Sequence, residues 1–576
     1  MRVSTYEIIL PLIGTDDKEI PGKALLVNGL YSAVDVVDSE IAENLEKGEF
    51  TEIPVAVRES LMERGHITRK DEEGELADAR LLGRVWSKLV GYSGAGPVIL
   101  PTYDCNFRCP YCFERHRLTR GQEWLGHEMK PEMVEAVFAA LKKQQEKGRR
   151  VDGLSLYGGE PFLKENKETV RNICEHAKAM GLPISAVTNG YDLEDYIDLL
   201  EEFEIGRVQI TVDGVGEMND RRRRHRDGVP TYDRILKNVA LALEHGIDVS
   251  LRVNTNGENI GGIKALIDDL TARGLKEAAR EEKEKANKEA MEAKKAGKPR
   301  PKRKGFFSYY FKAVTEAKDS PTRVTERQVL DAIIEAGFSP LEAFERQSQY
   351  SMLMQGLKAA MAKQDYPKFA PAFCGAEQGM MVIAPDGLLY PCWDLVAMEE
   401  EAVGFTDVEA GRFFFNFGKA KWRTRTSDLL EKCRTCPYIF ICRGGCAAAA
   451  KMENGSYYRE ACSEWKEIFA YVAPRVVGEQ WEELQETDAN VASRSCVRTS
   501  ASCASEDANV ASRSCVRTSA SCASELSISL AGPLSRLTEA ERETLMKTAS
   551  QQEMFDIIKE AGLFMSEAGE KAEKKE

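Results

Sequence analysis

Residues 96–112 read GPVILPTYDCNFRCPYC: an apolar, β-branched run that breaks at Thr102 into a loop with cysteines at 105, 109 and 112. The run is short and punctuated by proline, as a buried strand would be. Five more such runs follow, at 153–158 (GLSLYG), 183–189 (PISAVTN), 207–213 (RVQITVD), 248–254 (DVSLRVN) and 307–314 (FSYYFKAV). Amphipathic helical stretches separate them, among them 130–148 and 232–246. Repeated strand–helix units with crossovers of this length imply parallel strands in an α/β fold. Six units predict a partial (β/α)6 barrel of TIM type. Polar clusters close the strands: the cysteines after the first, YGGEP after the second, then TNG, VDG and NTN. Parallel strands bring these ends to one rim, which predicts a site there.

With 576 residues the chain is long enough for three or four domains, by the prior of ~150 residues each. A net charge of -14 argues against general binding to nucleic acid or to acidic membranes. No apolar run approaches the ~18 residues that a membrane span needs, and the N-terminus lacks a signal-peptide pattern. The sequence predicts a cytoplasmic protein with no membrane or nucleic-acid partner. Fifteen cysteines in that compartment point to metal or catalysis rather than disulfides. Cys174, in the helix-like VRNICEHAKAM, is expected to be a buried apolar residue.

A set of three closely spaced thiolates suits a [4Fe–4S] cluster with one iron left open, whereas zinc wants a fourth ligand, for which His116 is the nearby candidate. CNFRCPYC resembles the radical S-adenosylmethionine (radical SAM) signature, with Tyr111 at its aromatic position. The resemblance implies that Cys105, Cys109 and Cys112 bind a cluster whose open iron chelates SAM, and that reductive cleavage yields a 5′-deoxyadenosyl radical. It implies that Tyr111 lies near the adenine and that Gly158, Gly159 and Glu160 of GGEP approach the cofactor, Glu160 at its amino group. Thr188, Asn189, Asp213 and Arg252 are further SAM contacts on the same resemblance. The basic run 221–226 lacks interleaved aromatics and is expected to be a solvated or substrate-facing loop.

Seven more cysteines follow the pattern Cys374, Gly387, Cys392, then Cys433, Cys436, Cys442, Cys446, and finally Cys462. A zinc ribbon fits poorly, since five residues separate Cys436 from Cys442 where ~15–20 are usual. The pattern resembles the SPASM extension of radical SAM enzymes, which binds two auxiliary [4Fe–4S] clusters. The resemblance assigns Cys433, Cys436, Cys442 and Cys462 to an outer cluster, and Cys374, Cys392 and Cys446 to an inner one. It spans roughly residues 95–470 and implies an enzyme that modifies a peptide or protein, for example by thioether or carbon–carbon crosslinking, with a ferredoxin or flavodoxin as electron donor. The sulfatase-maturating branch, which makes formylglycine, is the alternative. It carries a catalytic Asp directly after the second auxiliary cysteine, where this chain has Trp393 and then Asp394. A non-catalytic iron–sulfur or zinc scaffold is the alternative from a different class.

The expected organisation is an N-terminal α/β or winged-helix unit (1–94), the barrel (95–320) with a solvated charged insertion (276–304), and linker helices with the SPASM domain (321–475). A disordered tail (476–530) and a helical C-terminal segment (531–576) complete it. Within the tail the 19 residues 488–506 recur unchanged at 507–525, a Ser- and Ala-rich composition with no apolar face to bury.

Overall fold

The computed structural model describes residues 1–90, 96–112, 114, 121–149, 151–296, 303–316, 319–361, 370–462 and 464–496. The chain divides into two compact units, one of residues 1–89, 350–373 and 425 onward, the other of 90–349 and 374–424. Neither follows the expected linear boundaries. The N-terminal segment shares a unit with the later auxiliary cysteines, and the barrel shares one with the earlier two.

In the first unit the strands Glu7–Ile13, Glu19–Asn28 and Ala33–Asp38 form an antiparallel meander. Helices Ser39–Lys47 and Val55–Glu63 bury Ile41, Leu45, Val57 and Leu61 against Leu26 and Val37. Strands and helices share this core. Helix Trp465–Cys496 packs on the strand Glu7–Ile13. A Cβ at Gly478 would stand 1.8 Å from the Ile13 carbonyl oxygen, so only glycine lets helix and strand approach this closely. Glu482 accepts from the Thr15 amide at 3.0 Å and its hydroxyl at 2.7 Å. The helix therefore covers 476–496, where the sequence predicted disorder. Ile468, Phe469, Val472, Val476 and Val477 are buried upstream, and that packing carries the helix past the predicted boundary. The rest of the repeat and the C-terminal segment lie outside the described residues.

The second unit is built on one sheet. Its strands Val98–Ile99, Leu154–Leu156, Ile184–Thr188, Arg207–Thr211, Asp248–Thr255 and Phe307–Ala313 lie in sequence order, all parallel. These are the six predicted runs, and they form the partial barrel. Along them Val208, Ile210, Val249, Leu251 and Val253 are buried, as period-two alternation requires. Helices Pro131–Glu146, Lys167–Ala179, Ile197–Glu202, Tyr232–Glu244 and Ile263–Ala272 supply the crossovers. Cys174 is fully buried, and burial pushes its thiol up to about 12. The charged insertion holds helix Arg280–Lys295. Strand Val382–Ile383 then adds beside the first barrel strand in parallel, and Leu388–Tyr390, Gly404–Asp407 and Arg412–Phe415 continue antiparallel. This extension was not legible beforehand, because two-residue strands carry no periodicity.

In the first unit His66 is a buried charge. Its Nδ1 lies 2.9 Å from both Glu7 oxygens and its Nε2 2.6 Å from Asp35, which also pairs with Arg64 at 2.5 Å. Both ring nitrogens face carboxylates, so both donate and the ring is the imidazolium. Burial opposes that charge, but Glu7 and Asp35 outweigh it and raise the pKa from 6.5 to about 9. A raised pKa stabilises fully below the unfolded value and loses that contribution as pH rises through the folded one. The melting temperature of the wild type is thus expected to fall between pH 6.5 and 9.5 more steeply than that of His66→Gln; parallel profiles would contradict the assignment.

Candidate active site

The cysteine loop leaves the first barrel strand and is fastened by the segment it was not expected to meet. The Arg108 amide donates to the Arg224 carbonyl and the Arg226 amide to the Asn106 carbonyl, both at 2.7 Å, so Phe107 and His225 form an antiparallel bridge. Arg226 also reaches Asp104 at 3.1 Å. The basic run 221–226, expected to be a solvated or substrate-facing loop, is solvated only in part: Arg221, Arg224 and Arg226 are exposed. Arg222 and Arg223 are buried, with Arg222 bonded to Asn256 at 2.7 Å, Glu258 at 2.6 Å and the Asn254 carbonyl at 3.2 Å. Composition suggested a surface, but every carboxylate and amide that pairs with these guanidiniums lies outside the run.

Tyr111 stands between them. Its hydroxyl donates to Asp213 and accepts from Arg223 at 3.0 Å, and the Arg222 guanidinium lies 5.0 Å from its ring centre. Asp213 in turn accepts from the Asn254 amide at 3.0 Å. This ties the fourth and fifth strand ends to the cysteine loop.

The second strand end makes the closest approach. A Cβ on Gly159 would lie 1.9 Å from the Asp104 carbonyl oxygen, and the Glu160 amide donates to that same oxygen at 2.8 Å. GGEP thus packs backbone to backbone on the cysteine loop. The Glu160 carboxylate accepts from Thr188 Oγ1 at 2.6 Å, the Asn189 amide at 2.6 Å and the Phe162 amide at 2.9 Å. Burial pushes it up to about 7 against these bonds. A carboxylate has about four acceptor positions, so this one is mainly a brace with one left over. Asn189 Nδ2 donates to Asn106 Oδ1 at 2.6 Å, closing the third strand end on the loop.

Arg252 meets the rim brace through Asn254. Its Nε donates to Asn254 at 2.8 Å, and its charge acts on Tyr157 and Asp394. Burial raises the pKa of Asp394, Arg252 opposes the shift, and the carboxylate bonds to Cys392. Tyr157 feels Arg252, Glu114, Cys112 and Asp394 together, and its ring centre is 5.9 Å from that of Trp393. The segment around Cys392 is thereby brought to the first cysteine loop. Tyr157 was missed as a site residue, although it directly precedes GGEP; a lone tyrosine at a strand end reads equally as packing.

The residues fit an iron–sulfur cluster with SAM. The Phe107 amide donates to Cys105 Sγ at 3.3 Å, the kind of bond that tunes cluster sulfurs. Burial pushes the Cys109 thiol up to about 11, with Arg223 opposing, and metal binding removes that proton. The buried Nε of Arg223 has no hydrogen-bond acceptor among the described residues, and that of Arg222 meets only the Asp213 carboxylate, at 3.6 Å. Among the described residues no three His, Cys, Asp or Glu side chains could hold a single metal ion. A cluster asks less, since each thiolate binds a different iron of the cage. His116 lies outside the described residues.

Cys433, Cys436, Cys442 and Cys462 gather in the first unit. Burial pushes the Cys433 thiol up to about 12, and the other three add to the shift. Arg425, fully buried, donates to the carbonyls of Gly444, Gly445, Tyr457 and Arg459 at 2.5–3.1 Å. The Ala461 amide donates to the Gly444 carbonyl at 3.0 Å, which holds Cys462 to this loop. No sequence signal marks Arg425, because a sequence does not display the carbonyls it meets. Cys446 belongs to this unit, and Cys374 and Cys392 belong to the other.

Residues 99–270 match the profile of the Radical SAM superfamily. The chain carries a radical SAM domain. Its cofactors are accordingly a [4Fe–4S] cluster and SAM. The cysteine-type anaerobic sulfatase-maturating enzyme of Clostridium perfringens is 22% identical over 65% of this chain and 94% of that enzyme. The PqqA peptide cyclase of Rhizobium meliloti is 27% identical over 29% of this chain and 41% of the cyclase, so less than half of that relative is matched. The solved structure of Streptococcus suis SuiB bound to S-adenosylmethionine is matched over 80% of this chain and 99% of that chain, at 15% identity and a TM-score of 0.42. Among the described residues no helix is long and apolar enough to cross a membrane.

Two substitutions test the brace. Gly159→Ala must displace the Asp104 carbonyl, and reconstituted iron is expected to fall by about four atoms per chain, one cluster's worth; full iron content would contradict the contact. Glu160→Gln puts an amide donor against protein donors and is expected to cost about 1–3 kcal/mol of stability, read by denaturation.

Proposed function

We propose that the chain is a peptide-modifying radical SAM enzyme of SPASM type, acting on a residue of a peptide or protein to form a thioether or carbon–carbon crosslink. The observation that carries this reading is the convergence of Asp394, Arg252 and Tyr157 beside Cys112. With cluster and SAM bound, reductive cleavage of SAM supplies the oxidant for abstracting hydrogen from the substrate. The protein's own part is positional. Cys105, Cys109 and Cys112 hold the cluster, and the Glu160 brace with Thr188 and Asn189 fixes the rim. Tyr111, Asp213, Arg222 and Arg223 line the cofactor side. Asp394 faces the interior with Arg252 as its counter-charge and is the residue suited to take a proton from substrate.

The outer cysteine set is proposed to hold one auxiliary cluster, and Cys374 and Cys392, in the other unit, to be ligands of a second. A ferredoxin or flavodoxin is the proposed electron donor, as low-potential clusters require. Support from relatives comes from the sulfatase-maturating enzyme and the peptide cyclase, both of which act on polypeptides by their names. Sulfatase maturation is the second reading, favoured by the position of Asp394 although it stands one residue later than that branch has it.

Anaerobic reconstitution with dithionite tests the assignment. Wild type is expected to carry about twelve irons, as three clusters require, and to release 5′-deoxyadenosine. Cys105→Ala/Cys109→Ala/Cys112→Ala is expected to lose about four irons and all cleavage. Zinc in place of iron would overturn the reading. Asp394→Asn is expected to keep uncoupled cleavage while losing peptide product by at least about a hundredfold, within the usual range for a general base; an aldehyde trapped by hydrazide would select sulfatase maturation over crosslinking.

A further inference from the structure

The strand Arg412–Phe415 ends the ten-stranded sheet, so its outer edge is open to another strand among the described residues. Its register shows what the edge presents. Gly404 pairs with Phe415, Phe405 with Phe414, Thr406 with Phe413 and Asp407 with Arg412. The next pair, Val403 with Asn416, is hydrogen-bonded, the Asn416 amide donating to the Val403 carbonyl at 2.9 Å. Bonded and unbonded pairs alternate along an antiparallel ladder. Phe414 and Arg412 therefore turn their backbone groups inward to the neighbouring strand, and Phe413 and Phe415 turn theirs outward. No hydrogen bond reaches the outward N–H and C=O groups of Phe413 and Phe415 among the described residues. Four ladder groups stand ready for a partner.

The side chains around this edge are unusual for a surface. Phe405 and Phe414 stack at 5.4 Å with their planes 14° apart, and they are 49% and 38% exposed. Phe417, just beyond the strand, is 76% exposed. The opposite face is covered: Phe413 is buried, and Lys143 of the helix Pro131–Glu146 donates to the Ala410 carbonyl at 2.7 Å. The strand is thus held in place while its edge and one aromatic face stay open.

Charge selects the occupant. RFFFNFGKAKWR, residues 412–423, holds four cations and no carboxylate in a chain of net charge -14. Arg412 lies 4.6 Å from the Phe414 ring centre and Lys419 3.0 Å from that of Phe415. Burial, and then the repulsion of Arg149 and Arg423, pushes the Lys419 amine down to about 7, so the fixed positive charge of this segment rests on Arg412, Lys421 and Arg423. We infer that the edge strand Arg412–Phe415 docks an extended acidic segment of a polypeptide partner by strand addition. Its main chain would pair with Phe413 and Phe415, its apolar residues would lie on Phe405 and Phe414, and its carboxylates would meet Arg412, Lys421 and Arg423. The inference needs no turnover and stands apart from the reaction proposed above.

Fluorescence anisotropy of the reconstituted protein tests it, with a labelled nine-residue peptide of alternating Glu and Val as probe and its Lys–Val counterpart as control. The acidic probe is expected to bind saturably and the basic one not. Phe415→Pro deletes one outward N–H without touching the inward ladder, and Phe415→Ala controls for the lost ring. Proline is expected to weaken binding about tenfold beyond alanine, the worth of a lost hydrogen bond or two. A probe N-methylated at alternate residues should fail on the unaltered protein, which settles the point even if the proline variant misfolds. Arg412→Glu/Lys421→Glu should reverse the preference between probes. Binding that ignores N-methylation, equal binding of both probes, or no acidic binding would overturn the inference. So would an edge occupied by a second copy, seen as a dimer by sedimentation that excludes the probe.

Discussion

The contact between the Gly159–Glu160 backbone and the Asp104 carbonyl is the constraint on which the rest of the site depends. No side chain fits at Gly159, since a Cβ there would sit 1.9 Å from that oxygen. The oxygen is shared with the Glu160 amide, so the second strand end and the cysteine loop move together or not at all. The Glu160 carboxylate then carries the tie to the third strand through Thr188 and Asn189. Asp213, Tyr111 and the buried guanidiniums carry it to the fourth and fifth. A loop that must keep three thiols in place is thus clamped from four neighbouring strand ends. Low local dielectric makes such a network strong when satisfied and costly when broken.

Much of this was legible in the sequence. The six parallel strands, the rim of polar strand ends and the three-cysteine loop all follow from short apolar runs and their punctuation, and the structure brings Tyr111, Glu160, Thr188, Asn189 and Asp213 to that rim. What stayed hidden has a common cause: a residue's role depended on partners far away in the chain. Arg222 and Arg223 read as surface charge because their partners lie on other strands and loops. Arg425 binds four backbone carbonyls, which no sequence displays. Helix Trp465–Cys496 outruns its apparent end because packing on a strand over 450 residues earlier decides its length. The division into two units likewise ignores chain order, cutting between Cys392 and Cys433.

Asp394 shows both outcomes at once. The sequence marked it by its offset from Cys392, and the structure sets it near Arg252 and Tyr157. Tyr157, one residue before GGEP, went unmarked although it faces the same groups. The geometry behind this is the approach of Trp393, beside Asp394, to the Tyr157 ring at 5.9 Å, with the Arg252 charge acting on both Tyr157 and Asp394.

The most direct test of that account is isotope transfer. The reconstituted enzyme would be turned over anaerobically with SAM and a pool of uniformly deuterated peptides, and the released 5′-deoxyadenosine examined by mass spectrometry. Peptide modification by hydrogen abstraction predicts deuterium in the product. Cleavage that proceeds with no deuterium from any peptide, while deuterated small metabolites do transfer it, would contradict a peptide substrate and leave the radical SAM domain with a different one.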